Sequence, residues 1–155
     1  ASPTGHFWQM LAKFQYSVKS SLNLFLGTPV TIFTSTPLSP IYVLEGQNLT
    51  LRWTYTLDGT VGFAQFFNAS CSGPNAAIGR RFGPGVITMQ PKYQGRFTGH
   101  VTNTRAELTI ISAQRSDQST YKISVFPTGS GSLVHQVDVF VQCKCCLVLP
   151  CVTFA

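Results

Sequence analysis

Short segments in which apolar and polar residues alternate recur along the middle and end of the chain. In the clearest of them Leu49, Leu51, Trp53 and Tyr55 alternate with polar residues. A period of two places successive side chains on opposite faces of a β-strand, so that one face is buried and the other meets solvent. This segment therefore predicts a strand of an antiparallel sheet, in which burial of one face is common.

The pattern predicts further strands at 63–67, 96–101, 105–110, 121–125 and 137–141. Turn residues separate them, since Asp58-Gly59 suits a tight reversal and the Gly-Ser run at 129–132 a flexible one. Glycine and proline at 73–74 and 83–85 indicate a looser region between the two halves. Seven or more short strands without an amphipathic helix predict an all-β chain with a Greek-key sandwich.

The start of the chain has a different character. Prolines separate residues 30–34 from 41–43, as expected of an edge strand interrupted by a bulge or kink. Residues 1–29 show no period; we interpret them as an ordinary preceding segment, with a partial signal peptide or linker as the alternative. The expected organisation is a domain at 30–142, preceded by this segment and followed by a tail at 143–155.

Two strings carry a family resemblance. EGQNLTLRW at 45–53 resembles the start of strand B in immunoglobulin domains, where E-G-x-x-L-T-L-x precedes the first core cysteine. LTI at 108–110 followed by DQSTYKI at 117–123 resembles the corner between strands E and F. Their order and spacing resemble an immunoglobulin-like domain of the variable type over residues 41–142. LTLRWTY and AELTIISAQRSDQSTY also resemble immunoglobulin-like cell-surface proteins of invertebrates, notably cnidarian ones, some of which serve in self/non-self recognition.

The resemblance assigns structural roles. It makes Tyr121 the corner residue whose hydroxyl bonds back to the preceding loop, and it pairs Arg96 with Asp117. It also places Trp53 and Ile123 where the family has its two cysteines, which excludes the disulfide between the sheets. Losing that bridge costs about 2–5 kcal/mol. Burial of an indole ring and of an isoleucine side chain in its place offsets much of this loss. We expect both residues in the core with Leu51 and Leu108, and a backbone carbonyl as acceptor for the indole N–H.

Composition and charge argue against several functions. Charged residues are only 10% of the chain, and the net charge of +6 comes from dispersed cations, of which only Arg80 and Arg81 are adjacent. A nucleic-acid-binding protein would cluster them on one face. His6, His100 and His135 lack metal-binding spacing and are expected to be exposed, and no catalytic motif is present. We therefore predict a protein that is not an enzyme, binds no nucleic acid and needs no cofactor.

The tail contains Cys143, Cys145, Cys146 and Cys151. Thiolates at this density could bind Zn²⁺ or Cu(I), but the paired C-x₂-C spacing of a structural zinc site is missing. We favour a segment outside the fold. Its apolar residues, 147–155, are about half of the roughly 20 needed to cross a bilayer. No span is therefore predicted within this chain, although one could follow in a longer product.

Two sequons, at Asn48 and Asn68, would accept glycans in a secreted protein, and Asn48 is the better acceptor. The exposed face of the sheet with strands C, F and G is expected to present Lys122, Ser124, Gln136, Asp138 and Phe140. Phe140 is the candidate anchor for a protein partner, homophilic or heterophilic, unless a neighbouring loop or the N-terminal segment covers it. The predicted function is recognition or adhesion at the cell surface; the alternative is a secreted immune-type binding protein.

Overall fold

The computed structural model describes residues 30–143, which form two β-sheets packed face to face. The helical elements of this region are three short 3-10 turns, at Gly73–Ala76, Pro91–Tyr93 and Arg115–Asp117. The strands are β1 (Ile32–Ser35), β2 (Ile41–Leu44), β3 (Leu49–Thr56), β4 (Val61–Asn68), β5 (Ala77–Phe82), β6 (Gly85–Val86), β7 (Thr88–Met89), β8 (Phe97–Val101), β9 (Arg105–Ile110), β10 (Ser119–Pro127) and β11 (Leu133–Gln142).

The strands are ordered β1-β3-β9-β8-β6 in the five-stranded sheet and β2-β11-β10-β4-β5-β7 in the six-stranded sheet. Strands β2 and β11 pair in parallel, and all the other pairs are antiparallel. Neighbours such as β3 and β9 are far apart in sequence, so the chain crosses repeatedly between the sheets. This confirms the predicted Greek-key β-sandwich.

The core lies between the sheets and follows the alternation in the sequence. Along β3 every second residue is buried, from Leu49 to Tyr55, and the residues between them are more exposed. The register pairs Leu51 with Leu108 of β9, and both side chains are fully buried. Each large apolar side chain removed from water in this way stabilises the fold by about 1.5–3 kcal/mol.

Trp53 and Ile123 enter this core from opposite sheets, on β3 and β10, and both are fully buried. The Trp53 ring packs against Phe66 of β4 with 5.8 Å between ring centroids. Its indole N–H donates to Nδ1 of His135 at 3.1 Å, so the expected backbone acceptor is wrong. His135 faces inward because it lies opposite Ile123 in the register of β10 and β11, whereas carbonyls within the sheets are already used by the strand ladders.

The corner before β10 is fixed by a buried carboxylate and a phenol. The Tyr121 hydroxyl donates to the carbonyl oxygen of Asp117 at 2.6 Å. Asp117 is buried, forms an ion pair with Arg96, and accepts a bond from the backbone N–H of Gln114 at 2.8 Å. Burial, with the nearby Asp117 charge as a smaller cause, raises the pKa of Tyr121 well above its usual value. The phenol therefore stays protonated and acts as a donor.

Two local expectations are wrong. The looser region contains β5, which pairs with β4; it lacks alternation because the consecutive residues Ile78 and Gly79 are both buried. A Cβ on Gly79 would lie 2.7 Å from a methyl carbon of Ile87, so the close approach requires glycine there. The proline-interrupted segment is also not one strand, because β1 pairs with β3 in one sheet and β2 with β11 in the other.

Candidate recognition surface

The outward side of the six-stranded sheet carries the side chains singled out for partner binding. We call it the outer face. In the register of β10 and β11, Lys122 lies opposite Gln136, which is exposed. The ammonium group of Lys122 lies 5.2 Å from the ring centroid of Phe67 on β4, a cation–π contact. The Asp138 carboxylate accepts a bond from the Thr120 hydroxyl at 2.6 Å.

Ser124 was expected to be exposed to solvent, and this prediction is wrong. It points to the outer face, but only 6% of it is accessible. Its neighbours in register are Gln65 of β4 and Val134 of β11, both with longer side chains. Such neighbours cover the short hydroxymethyl group of a serine on a central strand and shield it from solvent. Ser124 is therefore not available to a partner.

Phe140 lies at one end of the outer face, near the C-terminal end of β11. Its ring stacks on Tyr42 of β2, with centroids 5.5 Å apart and planes inclined by 23°. The parallel register of β2 and β11 sets this contact, because it places Phe140 opposite Tyr42. The pair remains open to solvent, since Phe140 is 39% exposed and Tyr42 more so.

A second apolar cluster lies at the other end of the outer face and was not predicted. Phe63 of β4 lies between Phe82 of β5 and Phe126 of β10, with centroid distances of 4.9 Å and 6.1 Å. Phe82 is 76% exposed, and Phe126 and the nearby Val134 are also exposed. The signal was in the sequence: Phe126 and Val134 fall in the outward phase of β10 and β11, with Lys122 and Gln136.

The turns above this cluster are tied together through Asp58. Its Oδ2 accepts bonds from the backbone N–H and the hydroxyl of Ser130, at 2.8 Å and 2.7 Å. These bonds favour the ionised carboxylate and lower the pKa of Asp58. The β3–β4 and β10–β11 turns are thereby held side by side.

The two sequon asparagines differ in exposure. Asn48 is exposed just before β3, in the five-stranded sheet, and its Oδ1 accepts a bond from the Ser112 N–H at 2.9 Å. Asn68 ends β4, is half-buried, and has its Oδ1 bonded to the N–H of Ser70 at 3.1 Å. Attachment of a glycan at either remains a prediction.

The histidine and cysteine residues considered for metal binding or catalysis do not come together in the part of the chain that the structure describes. His100 is exposed, but His135 is half-buried against Trp53, so the expected exposure is wrong for that residue. Within 30–143, no three His, Cys, Asp or Glu side chains lie close enough together to hold a metal ion. Cys145, Cys146, Cys151 and His6 lie outside the described residues, and so do most of the tail and the segment 1–29. In the described part of the chain, no helix has the length and apolar character needed to cross a membrane.

Comparison with known proteins bears on the fold. No protein-family model and no curated protein matches the sequence. Among solved structures, the crystal structure of a chicken TCR matches with a TM-score of 0.55 and 15% sequence identity. The match covers 71% of this chain and 50% of the TCR chain, so the likeness extends over half the length of that chain. At this identity the match identifies an architecture and not a ligand: the chain has an immunoglobulin-like β-sandwich fold.

Proposed function

We propose that this protein is an extracellular recognition or adhesion module that binds a protein partner through the outer face. The observation that carries the proposal is the placement of the exposed large apolar side chains. Five of them lie on the outward side of the six-stranded sheet, at its two ends: Tyr42, Phe82, Phe126, Val134 and Phe140. The role requires no catalysis and no cofactor.

The dimensions and chemistry of this surface suit a protein interface. Val134 and Phe140 are six positions apart on β11, which corresponds to about 20 Å along a strand. A standard interface covers about 800 Å² on each partner, a patch of similar width. Exposed aromatic rings are the usual anchors of such interfaces, and the polar Lys122, Gln136 and Asp138 between them can select the partner by hydrogen bonding.

Support for an extracellular setting comes from the sequons and the composition. Asn48 is exposed beside the five-stranded sheet, so a glycan there would leave the outer face open. The low fraction of charged residues and the high content of serine, threonine and glycine are common in extracellular β-proteins. The partner is either a second copy of the chain or a different surface protein.

Binding to a second copy of the chain and binding to a different protein can be tested with the same variants. Phe140→Asp and Phe126→Asp each place a charge at one end of the outer face, whereas Val86→Asp is the matched control, an exposed apolar residue on β6 of the other sheet. We expect each outer-face variant to weaken aggregation of protein-coated beads, or binding to intact cells, at least about tenfold, the scale for loss of an interface anchor. Val86→Asp should bind like the parent.

Sedimentation velocity of the soluble protein measures self-association independently. Equal binding by all three variants would show that the outer face is not the contact surface. A parent protein that neither aggregates beads nor binds any of a panel of cell types would contradict the recognition role itself.

A further inference from the structure

A groove with a volume of about 600 Å³ opens at the edge of the six-stranded sheet formed by β5 and β7. In register, Arg80 of β5 lies opposite Thr88 of β7, so their side chains are neighbours. The polar and aromatic residues that line the groove are Arg80, Arg81, Phe82, Thr88, Gln90 and Gln94. The proposed protein-binding role does not use its polar residues.

The charge of this groove is uncompensated. The chain has five carboxylate side chains, and each has a partner elsewhere: Glu45 with Arg115, Asp58 with Ser130, Glu107 with Arg52 and Arg105, Asp117 with Arg96, and Asp138 with Thr120. Four of the six arginines are therefore in ion pairs. Arg80 and Arg81 have no ion pair within residues 30–143, although they are adjacent in sequence. Arg80 is exposed, faces the groove and meets no carboxylate in the described part of the chain, which makes the groove attractive to an anion.

Arg81 points to the other side of β5, because it lies opposite the buried Ala64 in register and consecutive strand residues face opposite sides. Its guanidinium packs against Gly85, where a Cβ would lie 2.9 Å from Nη2, and its Nη1 donates to the carbonyl of Val86 at 3.4 Å. Its Nε is buried and has no hydrogen-bond partner within the described residues. The Arg81 guanidinium is therefore held on the inner side of β5, and Arg80 is the cation that an anion in the groove would meet.

We propose that this groove binds an acidic sugar unit of a glycan, recognised through its carboxylate or sulfate group. A guanidinium fork matches the geometry of such an anion with two parallel hydrogen bonds. Thr88, Gln90 and Gln94 carry hydroxyl and amide groups that both donate and accept, as sugar hydroxyls do. Phe82, 76% exposed at the rim, presents a ring against which the C–H face of a sugar can pack.

An acidic peptide is the competing occupant, and the edge beside the groove disfavours it. Extended peptides bind sheet edges by continuing the main-chain ladder. Here β7 is two residues long, Thr88–Met89, which is too short to align such a segment. A sugar unit needs no ladder and relies on side chains alone. The polar residues of the groove are not used by the proposed protein partner, whereas Phe82 belongs to both surfaces.

The test measures binding of the full chain to immobilised polysaccharides near 0.15 M salt. Heparin offers sulfate and carboxylate groups, polysialic acid offers carboxylates alone, and dextran is the neutral reference. The variant Arg80→Gln/Arg81→Gln removes the charge that faces the groove and the charge next to it in the sequence. Arg52→Gln/Arg105→Gln is the matched control, because it removes two charges from the five-stranded sheet.

We expect the parent to bind at least one acidic polysaccharide and not dextran, and the groove variant to bind at least about tenfold more weakly, as for lost charge-assisted bonds. The control should lose less than about twofold, the part caused by net charge alone. Arg80→Gln alone, at an exposed position, tests the site without the risk of misfolding. Phe82→Ala should weaken binding with no change of charge, which adsorption to a basic surface would not do.

Three results would overturn the proposal: no binding of either acidic polysaccharide by the parent, equal losses in the two double variants, or a polyglutamate peptide bound as tightly as the glycans. The last result would assign the groove to an acidic peptide. The protein-partner proposal is judged separately, by the bead and cell assays.

Discussion

The indole Nε1 of Trp53 donates a hydrogen bond to Nδ1 of His135, 3.1 Å away, and so joins the two sheets through the core. Trp53 lies on β3 of the five-stranded sheet and His135 on β11 of the six-stranded sheet. Phe33 of β1 packs edge-on against the imidazole, with 5.9 Å between ring centroids. To accept this bond, the imidazole must be neutral and carry its proton on Nε2.

Acid should therefore destabilise the domain through His135. Burial lowers the pKa of His135 below its ordinary value of 6.5, so the unfolded chain binds more protons than the folded one between the two pKa values. The free energy of unfolding consequently falls as the pH drops below about 6.5. Urea midpoints measured from pH 7.5 to pH 5 will show this.

The contribution can be isolated by substitution. His135→Gln keeps an acceptor that does not titrate and should flatten this part of the pH dependence, whereas the exposed His100→Gln should leave it unchanged. A His135→Gln protein with the parent's full pH profile would contradict the assignment.

Two substitutions of Trp53 separate packing from hydrogen bonding. Trp53→Ala leaves a cavity in a fully buried site and should lower the free energy of unfolding by about 3–5 kcal/mol. Trp53→Phe keeps part of the ring contact with Phe66 but removes the donor to His135, so a smaller loss of about 1–3 kcal/mol is expected. Chemical denaturation measures both, and a Trp53→Phe protein as stable as the parent would show that the indole N–H contributes nothing.

The two kinds of ion pair should differ sharply in their effect on stability. Arg96→Gln leaves the buried Asp117 carboxylate without its cation and should cost about 3 kcal/mol. Arg52→Gln breaks an exposed pair with Glu107 and should cost less than about 1 kcal/mol. Denaturant midpoints of the two variants, measured side by side, test the difference. A cost for Arg96→Gln no greater than that of Arg52→Gln would contradict it.

Glycan attachment should follow exposure. In protein secreted from eukaryotic cells, we expect Asn48 to be occupied more fully than the half-buried Asn68. Peptide mass spectrometry after glycosidase treatment measures occupancy at each site, with Asn48→Gln as the control that removes one glycan. If both asparagines are bare on secreted material, the prediction is wrong.

The sequence predicted those parts of the fold that local patterns determine. The alternation of β3 and the corner around Asp117 and Tyr121 needed only a two-residue period and a short motif. Strand β5 was missed because it is an element whose buried positions, Ile78 and Gly79, are consecutive. Its position depends on the close approach of Ile87, a contact that no sequence period reveals.

The candidate surface was predicted less completely. The outward phase of β10 and β11 correctly placed Gln136 and Phe140 in solvent, but not Ser124, whose exposure depends on the length of its neighbours across the strands. The same alternation directs His135 inward. A polar ring is tolerated at the core there because it accepts the hydrogen bond of the Trp53 indole N–H. The groove beside Arg80 needed the register of β5 and β7.

Apolar side chains, and no disulfide within the described core, connect β3 with β10, and this affects how the domain folds after synthesis. The core cluster within residues 30–143 contains no cysteine, so thiol reagents find no covalent link there to cut. Dithiothreitol should leave the melting temperature of the sandwich unchanged, and refolding should proceed without an oxidant or a disulfide isomerase.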